Sequence, residues 1–354
     1  MLTERKKQIL NATVSRYIQT AEPVGSKSLL DAFDVSSATV RQALHELEDE
    51  GFLTHVHTSS GRIPTDMGYR FYVDELMATH SLSATDYQVI SEQIHSMSLH
   101  VETALTQVSS VMSSLIDYTT IVMVPTIYQD ALKLVHMVLV DINRVLVILL
   151  HAIGVNHEFI LTLDDGVNQE DLNRLSQLLS SKLEGINVQD IPKEFFIKMI
   201  TDLPDYKSVL TQLATEIDRL NVHHQRNHQL ILNGTSKMLK LPEFKNIEFT
   251  QQVLAAVEEN KVLLELFNRS LAKKADHSIF IGKSDHQVEL LDGCSVVLQP
   301  VTLGHSYSTV IGVLGPTRMP YSVVASKLNT LSAMVSEYLT QSISKGGNDG
   351  SPRD

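Results

Sequence analysis

The segment Ser36-Ser37-Ala38-Thr39-Val40-Arg41-Gln42-Ala43-Leu44-His45 has the make-up of a helix that reads DNA bases. At about 100° per residue, Val40, Ala43, Leu44 and Leu47 share one face, while Thr39, Arg41, Gln42 and His45 fall on the flanks and the opposite face. Arg pairs with guanine, Gln with adenine, and the Thr methyl meets thymine. Ser36 is placed to cap the helix, its side-chain oxygen accepting from free backbone N–H groups, and Ser37 follows it at the end that would enter a groove. Behind the helix, Phe52 to Val56 alternates like a strand, Thr58-Ser59-Ser60-Gly61 forms a tip, and Arg62-Ile63-Pro64 returns. The Thr58 and Ser59 hydroxyls and the Arg62 guanidinium suit phosphate contacts, which hold a duplex without reading its sequence. Alone, the helix also fits an ordinary amphipathic surface helix and the hairpin a generic turn; together they make a DNA-binding set of Ser36, Ser37, Thr39, Arg41, Gln42, His45, Thr58, Ser59 and Arg62.

Other reactive residues form no convincing set. Gly282-Lys283-Ser284 resembles the end of a phosphate loop but lacks the upstream glycine. His223, His224 and His228 include an i, i+4 pair, but no carboxylate or cysteine completes a metal site. Cys294 sits beside Val296-Val297-Leu298 and reads as a small core residue. Neither a nucleophile–base pair nor a metal set emerges, so catalysis and cofactors are not expected.

The 354 residues suffice for two or three domains, and 43% hydrophobic content supplies each with a core. One cysteine excludes an internal disulfide and points to a reducing, cytoplasmic compartment. The most apolar run, Val135 to Leu150, is interrupted by Asp141, Asn143 and Arg144 and cannot cross a bilayer as one helix. The net charge of -12 runs against DNA binding, and residues 1–75 carry 8 Lys and Arg against 11 Asp and Glu, a net of -3. Glu46, Glu48, Asp49 and Glu50, however, cluster at the far end of the proposed reading helix, outside the expected contact.

These residues need positioning elements. Apolar spacing predicts a helix over 3–20, a short second helix over 27–33 and a third from Ser36, the helix-turn-helix plan. Residues 82–117 repeat apolar positions at steps of three and four, fitting either a helix packed on its own domain or a coiled-coil seam, with Ser96 and Ser98 as a break. Strands are expected over 119–125, 132–140, 145–151, 158–163, 278–282, 294–300 and 308–315, with helices over 168–182, 206–220, 250–272 and 321–341. Asn233-Gly234 is a hairpin signal. The strand and helix order suggests an α+β fold with helices on an antiparallel sheet.

Glu22-Pro23-Val24-Gly25-Ser26-Lys27, Ser36 to Arg41, His57 to Asp74 and Gly315-Pro316-Thr317-Arg318-Met319 together resemble the bacterial heat-inducible transcription repressor family, HrcA. Gln42 stands where that family usually has Asn, Ser60 where it often has Ala, and Pro320 where it often has Asp. The resemblance implies a winged-helix DNA-binding domain over 1–80, a connecting helical segment over 81–118, and a GAF-like domain over 119–183 and 275–343. It further implies an inserted dimerisation domain, placed at 184–274, with 344–354 a disordered tail. By the same resemblance, a homodimer binds an inverted-repeat operator (CIRCE) ahead of the groE and dnaK operons, and the chaperonin GroEL keeps the repressor active. A ligand-gated regulator using the GAF-like domain as a sensor is the alternative.

Overall fold

The computed structural model describes residues 2–33, 36–55, 61–78, 80–98, 101–124, 131–151, 156–163, 166–224, 230–273, 277–286, 291–303 and 307–346. The first helix, α1 (Glu4–Thr20), starts at Thr3, whose hydroxyl accepts from the Lys6 amide, and ends where Ala21 turns left-handed at φ 57°. It buries Ile9, Leu10, Thr13 and Val14. The short second helix is a 3-10 helix, Ser26–Ala32. After it come α2 (Ser37–Asp49), the hairpin strands β1 (Leu53–His55) and β2 (Arg62–Pro64), and α3 (Asp66–Phe71), which continues as a wider π-type turn over Tyr72–Leu76. This first bundle matches the expected order of three helices and a hairpin.

The apolar repeat over 82–117 forms two helices, α4 (Ala84–His95) and α5 (Val101–Leu115). Ala104, Leu105, Val108, Val111 and Met112 of α5 are buried inside the chain, so that stripe packs on its own domain and is closed to a coiled-coil partner.

The remaining strands divide between two sheets, which corrects the expectation of one. Five antiparallel strands run in the order β7 (Leu230–Asn233), β3 (Thr119–Met123), β10 (Tyr307–Pro316), β9 (Cys294–Leu303) and β8 (Ser278–Ile281). Alternate residues serve opposite faces. Val122, Ile279, Ile281, Val297, Ile311 and Val313 share a core with α4, α5 and the closing helix α13 (Tyr321–Gly346). Ile121, Met123, Phe280, Val296, Leu298 and Val310 face the opposite core, which holds Met238 of α9 (Thr235–Met238), Val253 and Ala256 of α10 (Ile247–Glu259), and Leu263 and Phe267 of α11 (Lys261–Lys273).

The second sheet has β5 (Arg144–His151) between β4 (Leu132–Asp141) and β6 (Asn156–Thr162). One face packs on α6 (Gln169–Leu183), α7 (Lys193–Asp202) and α8 (Lys207–His224) in a core of its own, including Val135, Val147, Leu161, Leu179 and Leu213. A strand's period shows that one face is buried but not which sheet it joins, so the sequence could not separate β4–β6 from β3. The same limit hid β7, which lies within 184–274 yet pairs with β3 through Ile121↔Leu232 and Val122↔Ile231. The Asn233-Gly234 hairpin does not form: Gly234, at φ 75°, caps α9 instead. Its Cα lies so near α5 that a Cβ would meet the Ser113 Oγ at 2.7 Å. The expected 250–272 helix breaks at Asn260, φ 54°. At the C-terminus α13 runs to Gly346, past the expected start of the tail at Ser344; 347–354 lie outside the described residues.

Candidate nucleic-acid interface

The start of α2 is built as the sequence suggests. Ser36 caps it, its Oγ accepting from the Thr39 amide at 3.2 Å and lying 2.9 Å from the Thr39 hydroxyl. The Ser37 hydroxyl lies 3.3 Å from that of Ser26, tying the helix to the preceding 3-10 helix. Val40, Ala43, Leu44 and Leu47 are buried. Arg41, Gln42 and His45 are exposed on the other side, and Thr39 is half-buried on the flank. Gln42 donates to Glu46 at 3.1 Å and the His45 ring lies 2.9 Å from Asp49. Both are contacts along an exposed helix face, worth only tenths of a kcal/mol, and a base edge can displace them.

The hairpin is set against α2 by a residue the sequence reading discounted. Glu48 takes the Arg62 Nη2 on one carboxylate oxygen at 2.7 Å and the His55 ring on the other. Its carboxyl lies below the ordinary range: burial pushes it up, but the His55 hydrogen bond and the Arg62 charge outweigh that. Arg62 also exchanges both backbone hydrogen bonds with Val24, each 2.8 Å, so Val24 adds a third rung beside β1 and β2. The close approach depends on Gly61, where a Cβ would fall 2.6 Å from the Val24 carbonyl carbon. Arg62 therefore sits beside α2 as expected, but paired with a carboxylate. Thr58 and Ser59 lie outside the described residues.

The acids at the far end of α2 all have structural partners. Lys6 of α1 lies 2.8 Å from Glu46 and 2.6 Å from Glu50, and its hydrogen bond holds the Glu46 carboxyl below the ordinary range. Glu48 holds the hairpin and Asp49 meets His45. Their signal in the sequence was an acidic run with Lys6, Arg62 and two histidines available as partners, but only the fold brings these together.

The remaining singled-out residues have structural surroundings. Gly282-Lys283-Ser284 opens the short helix α12 (Gly282–His286), and Asp285 within it pairs with Arg70. Cys294 is wholly buried, and burial pushes its thiol far up, away from the reactive thiolate. The side chains of His223, His224 and His228 lie outside the described residues. No group of three His, Cys, Asp or Glu side chains among the described residues could hold a metal, and none of the described helices is long and apolar enough to cross a membrane.

Comparison with known proteins converges on one family. The model of the HrcA protein C-terminal domain matches residues 102–325. The heat-inducible transcription repressor HrcA of Desulforamulus reducens is 33% identical over 340 residues, covering 96% of this chain and 97% of that protein. That of Carboxydothermus hydrogenoformans is 33% identical over 341 residues, covering 96% and 98%. A crystal structure described as a hypothetical protein shares the fold at a TM-score of 0.63 and 19% identity, covering 97% of this chain and all of that one. The chain thus belongs to the HrcA family of heat-inducible transcription repressors, DNA-binding regulators rather than enzymes.

Proposed function

We propose that this protein is a cytoplasmic, dimeric repressor that binds an inverted-repeat operator of the CIRCE type ahead of groE and dnaK operons. The first bundle acts as a winged helix: α2 reads the major groove while the hairpin holds the adjacent backbone. The observation that carries this reading is the capped start of α2, with Arg41 and Gln42 exposed opposite a fully apolar inner face. Thr58 and Ser59 complete the phosphate contacts, as their place in the hairpin sequence suggests.

The β7-β3-β10-β9-β8 sheet with its helices serves as the GAF-like domain. The β4–β6 sheet with α6–α8 serves as the inserted dimerisation domain, a reading that moves the insertion ahead of 184–274. Support comes from the uncovered face of that sheet. Leu134 and Ile160 are 42% and 52% exposed there, and the register sets Leu150 opposite Leu134 and Leu146 opposite Ile160. A second copy of the same face, related by a two-fold axis, covers these side chains without a new surface.

GroEL keeps the folded fraction high. Ile121, Val122 and Met123, and Val145, Val147 and Leu149, are almost wholly buried in the folded chain, and each segment is aggregation-prone when exposed. Footprinting purified protein on the chaperone promoters of its own genome, with and without GroEL, tests the whole reading. A protected inverted repeat that strengthens with GroEL is expected; no protection under either condition overturns it.

A further inference from the structure

Two of the sequence motifs, around Asp66–Asp74 and Gly315–Met319, contribute nothing to the base-reading face, yet both tie the first bundle to the body. Arg318 donates from Nη1 to the Ile18 carbonyl at 2.8 Å and from Nε to Glu243 at 2.6 Å, its side chain only 12% exposed. One guanidinium thus joins the last turn of α1, the segment between β7 and α10, and the turn after β10. Ile18 lies within the last four residues of α1, where helix carbonyls lack an intrahelical donor, and a cation at that end also meets the negative pole of the helix. Beside it the Tyr69 ring meets Tyr321 edge to face, centroids 6.1 Å apart. Tyr321 is anchored in the body by Ser295 and the Thr317 carbonyl.

A second post stands at β8. Arg70 donates from Nη1 to the Ile279 carbonyl at 2.7 Å and to Asp285 at 2.8 Å. The Asp66 carboxylate occupies the place of the Cβ that Gly282 lacks, 1.8 Å from its ideal position. None of these residues belongs to α2, whose outer face stays open.

We propose that Arg318 and Arg70 form a two-point clamp that sets the orientation of the DNA-reading bundle on the body, with Arg318 the positioning residue. Apolar contacts alone tolerate rotation; donors committed to one carbonyl and one carboxylate do not. Removing one partner of such a pair leaves a shielded charge uncompensated, which costs more than the intact pair contributes. The bundle, which shares an apolar core with the body, then settles in more than one orientation on it. Orientation passes from α1 to α2 through Lys6 and its two glutamates. This inference rests on the DNA reading above: two half-sites are bound together only when the two reading helices keep a fixed separation, and a swinging bundle lowers the effective concentration of the second.

The test uses the full chain with spin labels at Glu22→Cys and Glu265→Cys, both exposed positions, since the native Cys294 is buried and will not react. Distances are measured without DNA in the parent, in Arg318→Met and Glu243→Gln, and in Lys327→Met, which removes a tie within the body. Labelled chains are mixed with an excess of unlabelled chain of the same variant so that only distances within one protomer are read. One narrow distance is expected in the parent and in Lys327→Met, with clear broadening in the other two. Affinity for the full inverted repeat should fall about tenfold or more in the broadened variants, with single half-site affinity within about twofold. Unchanged distances in both Arg318→Met and Glu243→Gln overturn the clamp. Should Arg318→Met fail to fold, the near-isosteric Glu243→Gln decides. If the parent binds no inverted repeat, the DNA reading falls while the distances still decide the clamp. If distances broaden and full-site affinity holds, the positioning role of Arg318 is overturned.

Discussion

The Glu48 carboxylate lies 2.7 Å from the Arg62 guanidinium and also accepts from His55, so one acid of α2 grips both strands of the hairpin behind it. The pairing accords with the DNA-binding role proposed for a bundle of net negative charge: the acids of α2 meet internal partners at the end away from Ser36. The phosphate contact proposed for Arg62 would therefore compete with Glu48 for the same guanidinium.

Glu48→Gln should therefore strengthen binding to DNA of any sequence. Since Arg62 counts as one phosphate contact in either protein, the slope of log affinity against log salt should change little in Glu48→Gln. Arg62→Ala should weaken binding on all sequences and make the slope shallower by about one unit. Salt titrations of both variants on scrambled DNA check this; equal slopes in parent and Arg62→Ala would remove the hairpin from the contact.

Base reading predicts a different pattern. Arg41→Ala and Gln42→Ala should each cost about 1–3 kcal/mol on the operator if they make bidentate base contacts, with much smaller losses on scrambled DNA. Competition binding separates the cases, and equal loss on both DNAs assigns these residues to the backbone.

The lowered Glu48 carboxyl makes the bundle pH-sensitive in a defined direction. A carboxylate whose folded pKa lies below its unfolded value stabilises fully above the unfolded value, and the gain is lost as pH falls through the folded one. Melting temperature should therefore drop through the acidic range in the parent and drop less steeply in Glu48→Gln. Parallel melting curves from neutral pH down to about pH 3 would assign the acid transition to other carboxylates.

Two buried tyrosines in contact should respond oppositely to loss of the hydroxyl. Tyr321 bonds to Ser295 and to the Thr317 carbonyl at 2.6 Å, so Tyr321→Phe should cost about 1–3 kcal/mol. The Tyr69 hydroxyl is buried with no hydrogen-bond partner among the described residues, so Tyr69→Phe should be neutral or stabilising. Urea unfolding of the two variants provides the comparison, and a large loss in Tyr69→Phe would reveal a partner for that hydroxyl.

Charged substitutions on the open sheet face should dissolve the proposed dimer. Leu146→Lys and Ile160→Glu point away from the core of β4–β6, so the monomer fold should survive while sedimentation shows half the mass. A dimer that persists in both places the two-fold contact elsewhere.

How far the sequence carried can be read from particular residues. Ser36 as a cap, the split of α2 into Val40, Ala43, Leu44 and Leu47 inside and Arg41, Gln42 and His45 outside, and the hairpin behind it were legible, because helix period and capping are local properties. The strands of β3–β6 and β8–β10 were legible as strands for the same reason. Which sheet each joined was not, since pairing β3 with β7 and β10 while β4–β6 pair among themselves depends on long-range register. Nor could the sequence foretell that Glu48 would hold Arg62, that Lys6 would meet Glu46 and Glu50, or that Arg318 would reach Ile18 across 300 residues. Each of those charges was free to choose among many partners along the chain. Only the packing of α1 on α2, and of the first bundle on the five-stranded sheet, brought one choice within hydrogen-bond distance.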